Sequence, residues 1–131
     1  MDFKLELIPV PVTDVDRAKT FYEQAGFSVD NDVTVRPGLR FVQLTPPGSG
    51  CSVSIGEGIT EMEPGSLEGL QLVVEDIDAA RDHLVGRGLE ISDIQDFPWG
   101  KFVFFNDPDG NGWAVQQIPD YGEGRNQPEF I

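Results

Sequence analysis

The side chains able to do chemistry are few in this sequence, and they are scattered. His83 is the single histidine and Cys51 the single cysteine. One cysteine closes no internal disulfide and builds no Cys cluster for zinc. A reactive thiol needs a nearby cation to lower its pKa. The flanking Gly50 and Ser52 supply none, so Cys51 reads as buried or incidental. A Ser-His-Asp triad would need His83 beside its serine. No Gly-rich phosphate loop with a Lys-Ser or Lys-Thr pair occurs. Asp107 and Asp109 are paired carboxylates, but they stand in the turn Asn106-Asp-Pro-Asp-Gly-Asn-Gly112, where Asp bonds the local backbone. A structural role is expected for both. Glu57 falls near a strand end, where a rim or surface role is the default and a general base the alternative. What the sequence holds in quantity is aromatic surface: nine Phe and two Trp, with Phe97, Trp99, Phe102, Phe104 and Phe105 crowded together. Rings of this kind offer stacking and apolar contact.

An internal repeat positions these residues. Val12-Thr13-Asp14-Val15-Asp16-Arg17-Ala18 resembles Val74-Glu75-Asp76-Ile77-Asp78-Ala79-Ala80 at an offset of 62. The same offset carries Gly26-Phe27 onto Gly88-Leu89, Gly38 onto Gly100, and Pro46, Gly48 and Gly50 onto Pro108, Gly110 and Gly112. Turn residues recurring in one register place the turns equivalently. Each copy predicts a strand, a helix and three strands. The first strands are Leu5–Val12 and Leu70–Val74. Asp14 and Asp76 are natural N-caps, because a short carboxylate accepts from the free NH groups of the first turn. Ala18, Phe21, Tyr22 and Ala25 form an amphipathic stripe, and Gly26 and Gly88 supply the left-handed residue that stops a helix. The remaining strands are expected near 27–34, 39–45 and 51–56, and again near 89–95, 101–106 and 112–118. The expected class is α+β, two tandem βαβββ modules over 3–57 and 67–118. A Gly-, Glu- and Pro-rich linker lies between them, and a polar tail over 119–131 reads as a loose arm or a strap.

The length of 131 residues fits one domain with its own core. The N-terminus alternates polar and apolar residues like a strand and lacks the apolar core of a secretion signal. No run of 18 apolar residues occurs. A cytoplasmic location is expected. The net charge of −14 repels nucleic acid and anionic membranes and draws in cations, although a solvated acidic surface is its first meaning.

Val12-Thr13-Asp14, Phe21-Tyr22 and Gly26-Phe27 together resemble the opening signature of the vicinal oxygen chelate superfamily of glyoxalase, bleomycin-resistance and extradiol dioxygenase proteins. Phe105-Asn106-Asp107-Pro108-Asp109-Gly110-Asn111-Gly112-Trp113 is similar to its closing signature. The resemblance covers residues 3–118. It implies a cup made by two curved sheets with their helices on the convex side, and it implies a homodimer. It also implies, for the family's enzymes, a divalent metal held by His or Glu from the first and last strands of each module, acting as a Lewis acid.

Carried onto this sequence, the first-strand ligand positions are Leu7 and Gly69. The last-strand positions are Ser52 or Ser54 in copy one and Ala114, or Gln116 if a bulge shifts the register, in copy two. Leu, Gly and Ala offer no side-chain donor, and Ser and Gln hold divalent ions only weakly. No metal and no cofactor are expected. His83 falls at the helix position of Phe21 and is expected to pack toward the convex face.

A metal-free cup works through its walls. The strand parity that turns Leu7, Gly69 and Ala114 inward also turns Pro9, Pro11, Gln71, Val73 and Gln116 inward, with Val10, Val12, Leu70, Leu72, Trp113 and Val115 toward the helices. Phe41, Phe102 and Phe104 come from the strands between, and Trp99 stands in a Pro98-Trp99-Gly100 loop at a rim or interface. Gly69, lacking a side chain, would leave room for a flat ligand. The expected function is a small-molecule binding protein of the bleomycin-resistance type, taking an aromatic or cationic ligand. The alternative is a lyase, isomerase or dioxygenase of the same family, and an interaction role ranks third.

Overall fold

The computed structural model describes residues 1–119; the expected tail beyond Pro119 lies outside them. The elements run β1 (Leu7–Pro9), α1 (Val15–Gln24), β2 (Ser28–Arg36), β3 (Leu39–Thr45), β4 (Ser52–Glu57), β5 (Leu70–Val74), α2 (Ile77–Gly86), β6 (Gln95–Phe97), β7 (Gly100–Asn106) and β8 (Gly112–Gln117). They form two four-stranded mixed sheets of the same order, β1-β4-β3-β2 and β5-β8-β7-β6. In each, the first strand runs parallel to the last. This is the α+β class with two βαβββ modules.

The helices obey the repeat, since an offset of 62 carries Val15–Gln24 onto Ile77–Gly86. Both ends are fixed locally. Asp14 Oδ1 accepts from Arg17 N at 3.0 Å and Asp76 Oδ1 from Ala79 N at 3.1 Å, caps that contribute about 1 kcal/mol each. At the other end Gly26 takes φ +104 and Phe27 N donates to Tyr22 O at 2.9 Å, while Gly88 takes φ +91 and Leu89 N donates to Leu84 O at 3.2 Å. These are Schellman closures, which need a residue without a Cβ penalty.

The strands slip. Leu7 pairs with Ser52, but it is Gln71, not Gly69, that pairs with Ala114. The link from this strand position to the capping aspartate is two residues shorter in the second module. Gly69 sits just before β5 at φ +82. The strand expected near 89–95 is the shorter Gln95–Phe97. Arg81 occupies the carbonyls of Ser92 and Ile91, at 2.8 and 3.4 Å, which a ladder would have used. The first strand, expected over Leu5–Val12, is only Leu7–Pro9. His83 is exposed on α2 rather than packed against a sheet.

Compactness divides the chain into two units. Among the described residues, the first is Met1–Glu68 with Asn106–Gly112, and the second is Gly69–Phe105 with 113–119. The turn between β7 and β8 thus belongs with the first unit, and side-chain chemistry explains why. Asp107 accepts four hydrogen bonds: Tyr22 Oη (2.7 Å) and Asn111 Nδ2 (2.8 Å) on Oδ2, and the backbone NH groups of Asp109 (3.0 Å) and Asn111 (2.9 Å) on Oδ1. Asn111 also donates to Pro11 O at 2.8 Å and accepts from Leu67 N at 3.1 Å. Asp109 Oδ1 accepts from Thr13 N and Oγ1 at 3.2 and 2.7 Å. The paired carboxylates are structural, and the Phe-Tyr and Asp-Pro-Asp-Gly-Asn signatures are two halves of one polar cluster.

On the outside of the same unit, Arg40 grips Asp32 through Nε and Nη2 at 3.0 and 2.8 Å and reaches Asp16 at 2.9 Å, while Lys19 joins Asp32 at 2.9 Å. This network ties α1 to β2 and β3. The Arg40 guanidinium, and then Lys19, hold the Asp32 carboxyl well below the usual carboxylate range.

Candidate functional site

Side chains alternate across a strand, so each sheet has two faces, and along most of β4 and β8 both are buried. In the second unit one face carries the buried Leu70, Val103, Phe105, Trp113 and Val115, with Phe105 stacked on Trp113 at 5.9 Å between centroids. Trp113 is therefore core. The other face carries Gln71 and Val73 from β5, Ala114 and Gln116 from β8, Phe102 and Phe104 from β7, and Phe97 from β6; of these Phe102, Ala114 and Gln116 are buried. The pairings Gln71 with Ala114, Val73 with Gln116, and Phe97 with Gly100 put these positions on one side. Val73, Trp99 and Phe104 remain 62%, 41% and 37% exposed, although they are large and apolar.

The rings form a continuous run. Trp99 stacks on Phe97 at 5.1 Å and 3°. Phe97 meets Phe102 edge-on at 5.8 Å and 68°, and Phe102 stacks on Phe104 at 5.8 Å and 3°. Phe97, one of the crowded aromatics of the sequence, is the ring that joins Trp99 to the strand pair. Its period-two spacing from Trp99 was the available signal.

Beside the rings lies a short amide chain. Gln71 Nε2 donates to Gln116 Oε1, and Gln116 Nε2 donates to the Trp99 backbone carbonyl at 2.8 Å. Gln116 is 9% exposed and Gln71 is exposed.

The equivalent face of the first unit is different. Leu7 and Pro9 pair with Ser52 and Ser54, and Phe41 pairs with Gly56. Ser52 and Ser54 are buried. Ser52 Oγ lies 2.6 Å from Thr45 Oγ1, which donates to Asp30. Only one ring, the half-buried Phe41, stands among these positions. A shallow groove of about 440 Å³ lies elsewhere in this unit, along Arg17, Thr20, Phe21, Gln24 and Pro108. Its one cation, Arg17, is turned to Asp109 at 3.5 Å.

The donor set does not fit the divalent metal that the fold family implies. The first- and last-strand positions hold Leu7, Ser52 and Ser54 in one unit and Gln71, Ala114 and Gln116 in the other. Among the described residues no three His, Cys, Asp or Glu side chains converge. Divalent first-row metals want imidazole, thiolate or carboxylate. The described residues also contain no helix long and apolar enough to cross a membrane.

The profile of the Glyoxalase/Bleomycin resistance protein/Dioxygenase superfamily matches residues 4–115. Among solved structures, TnmS3, an antibiotic binding protein from Streptomyces sp. CB03234, is 35% identical with a TM-score of 0.80, over 90% of this chain and 98% of that one. A glyoxalase/bleomycin resistance protein from the same organism is 36% identical with a TM-score of 0.75, over 87% of this chain and 100% of that one. The uncharacterized protein YetH of Bacillus subtilis (strain 168) is 28% identical over 115 residues, 84% of this chain and 94% of its own. On the matched profile and these relatives, the chain belongs to the glyoxalase/bleomycin resistance/dioxygenase superfamily.

Proposed function

We propose that this protein binds a flat, apolar or cationic small molecule against the aromatic face of its second sheet, without a metal and without changing the ligand chemically. The observation that carries the reading is the run Trp99, Phe97, Phe102, Phe104, four rings in mutual contact whose two end members stay exposed. Each aromatic contact is worth about 0.5–1.5 kcal/mol beyond the area it buries. Small-molecule sites are mostly apolar with a few placed polar groups; here Gln71 and Gln116 are those groups. The net charge of −14 favours a cation over an anion. A similar chain named as an antibiotic binding protein supports the same class of function. The donor set argues in the same direction, since it gives a Lewis acid nothing to sit on. We take the working species to be a cytoplasmic homodimer. The N-terminal side chains Met1, Phe3 and Leu5 are 105%, 91% and 68% exposed, apolar surface that a second copy would cover. A dilute-solution mass of 14.4 kDa would count against the dimer.

The experiment is a titration of tryptophan fluorescence with a panel of planar aromatic and cationic compounds. Binding is expected to shift or quench the emission, and Trp99→Phe is expected to lose most of that response while Trp113 goes on reporting from the core. Moderate salt should weaken a cationic ligand only in part, because screening acts on long-range attraction more than on stacking. A panel that gives neither a thermal shift nor a tryptophan response would overturn the reading in favour of an interaction role.

A further inference from the structure

We infer that Asn111 is a site of covalent modification: a deamidation site that the folded turn keeps closed and that, once used, bars the first unit from closing again. The inference does not depend on the binding role proposed above.

Asn111-Gly112 is the only Asn-Gly pair in the sequence. Such a pair is prone to cyclise, because glycine has no Cβ to shield its backbone nitrogen or restrict its approach. Gly112 N gives up its proton and attacks the side-chain carbon Cγ of Asn111. The new C–N bond closes a cyclic imide, and the side-chain nitrogen leaves as ammonia. Water then opens the ring at either carbonyl, which leaves aspartate or its isoaspartyl isomer, with a main chain one carbon longer. Water is the one co-reactant.

In the folded turn both reacting groups are held. Asn111 is 0% exposed and so is shielded from water. Its Nδ2 donates both hydrogens, to Pro11 O and to Asp107 Oδ2, each at 2.8 Å, and its Oδ1 accepts from Leu67 N at 3.1 Å. The nucleophile is tied to the same residue, since Gly112 N donates to Leu67 O at 2.8 Å. The Leu67 backbone thus clasps electrophile and nucleophile together. The ring cannot form until the segment around Leu67 lifts from the turn.

The product does not fit where the amide did. A carboxylate carries no hydrogen at neutral pH. Pro11 O loses a donor, and Asp107 Oδ2 meets a second negative charge where it had an N–H. Like charges buried without donors between them are strongly unfavourable. The isoaspartyl form also displaces Gly112 from Leu67 O. Opening of the turn therefore exposes the chain to a one-way step, and a modified chain records that the turn has opened.

The test holds the full chain in warm, mildly alkaline buffer, with and without enough guanidinium chloride to unfold it. Conversion at Asn111 is followed by peptide mass spectrometry, as the mass gained when OH replaces NH2. The folded chain is expected to convert at least about 100-fold more slowly, because reaction waits on a rare open state. Modified chains gain a negative charge, so anion exchange separates them. After the denaturant is removed they are expected to stay unfolded by circular dichroism, while unmodified chains from the same sample refold. Gly112→Ala has room for its Cβ, whose nearest neighbours would be Asn106 Oδ1 at 3.6 Å and Glu68 Cα at 3.8 Å. It is expected to fold like the parent, to convert several-fold more slowly in denaturant, and to keep its refolding yield after an incubation that costs the parent most of its own. Similar conversion rates in the folded and unfolded chain would overturn the guarded site. Modified chains that refold with the parent's unfolding midpoint would overturn the bar to closure. Refolding lost as fast in Gly112→Ala as in the parent would place the damage elsewhere, as at Asp109-Gly110, whose isomerisation leaves the mass unchanged, and would overturn Asn111 as its cause. Should Gly112→Ala not fold, Asn111→Asp decides: a large loss of stability is expected, and an unchanged midpoint would overturn the inference.

Discussion

Tyr22→Phe removes one oxygen and isolates the polar cluster that joins the two sequence signatures. Tyr22 is 0% exposed, and its hydroxyl donates to Asp107 Oδ2 at 2.7 Å. Asp107 keeps its other three donors, so its carboxylate is weakened but not orphaned. A hydrogen bond to a charged group is worth about 1.5–3 kcal/mol. A loss of about 2 kcal/mol lowers Tm by about 7 °C for a chain of 131 residues. Asp107→Asn, nearly isosteric, should cost more, about 3 kcal/mol, because every group facing the carboxylate is a donor. An amide NH2 must oppose either the two backbone NH groups or Asn111 Nδ2. Asn111 cannot turn to help, since its own amide is held by Pro11 O and Leu67 N. The double variant should cost less than the sum, as groups in one network do. Urea and thermal unfolding of the three variants decide the matter. A Tyr22→Phe loss under about 2 °C, or an Asp107→Asn cost no larger than that of Tyr22→Phe, would refute the reasoning.

The ion network predicts an acid sensitivity. Asp32 has its folded pKa depressed, so the stability it contributes is full above its unfolded value of about 4 and is lost as pH falls below that. Arg40→Met should cost about 1 kcal/mol at pH 7, given partial exposure, and progressively less as pH falls from about 4 toward the depressed folded value, as read from urea midpoints between pH 7 and pH 2. Purified protein should carry no stoichiometric divalent metal. Elemental analysis finding about one zinc, iron, manganese or nickel per chain that survives a mild chelator would refute the proposed donor argument.

How much was legible follows the range of the interactions involved. The helices were placed by signals within a few residues of their ends, Asp14 and Gly26 in one copy and Asp76 and Gly88 in the other, and they keep the offset of 62 to the residue. Strand parity was equally local: alternation alone puts Phe102 with Phe104 on β7 and Ala114 with Gln116 on β8. Register was not local. Whether Gly69 or Gln71 stands opposite Ala114 depends on pairing with a strand more than 40 residues away, and nothing beside Gly69 announces the slip. The shortened β6 depends on Arg81, one turn into a helix, claiming carbonyls ten and eleven residues on. The partner of Tyr22 was hidden for the same reason: both signatures were visible, and the bond between them spans 85 residues.

That span has a consequence for the order in which the molecule is completed. The cluster around Asp107 includes a bond from Asn111 to Pro11, residues 100 apart in the chain. The first unit therefore lacks one of its own walls until residues 106–112 have been made. Until then Tyr22, Pro11 and Leu67 face an empty socket. A fragment ending at Glu68 would carry all of β1, α1, β2, β3 and β4 and still be unfinished. The repeat looks in sequence like two independent cassettes, but the closing turn of the second is a structural part of the first. The second copy lends a turn and receives none, so a cut between the two copies does not separate two finished units.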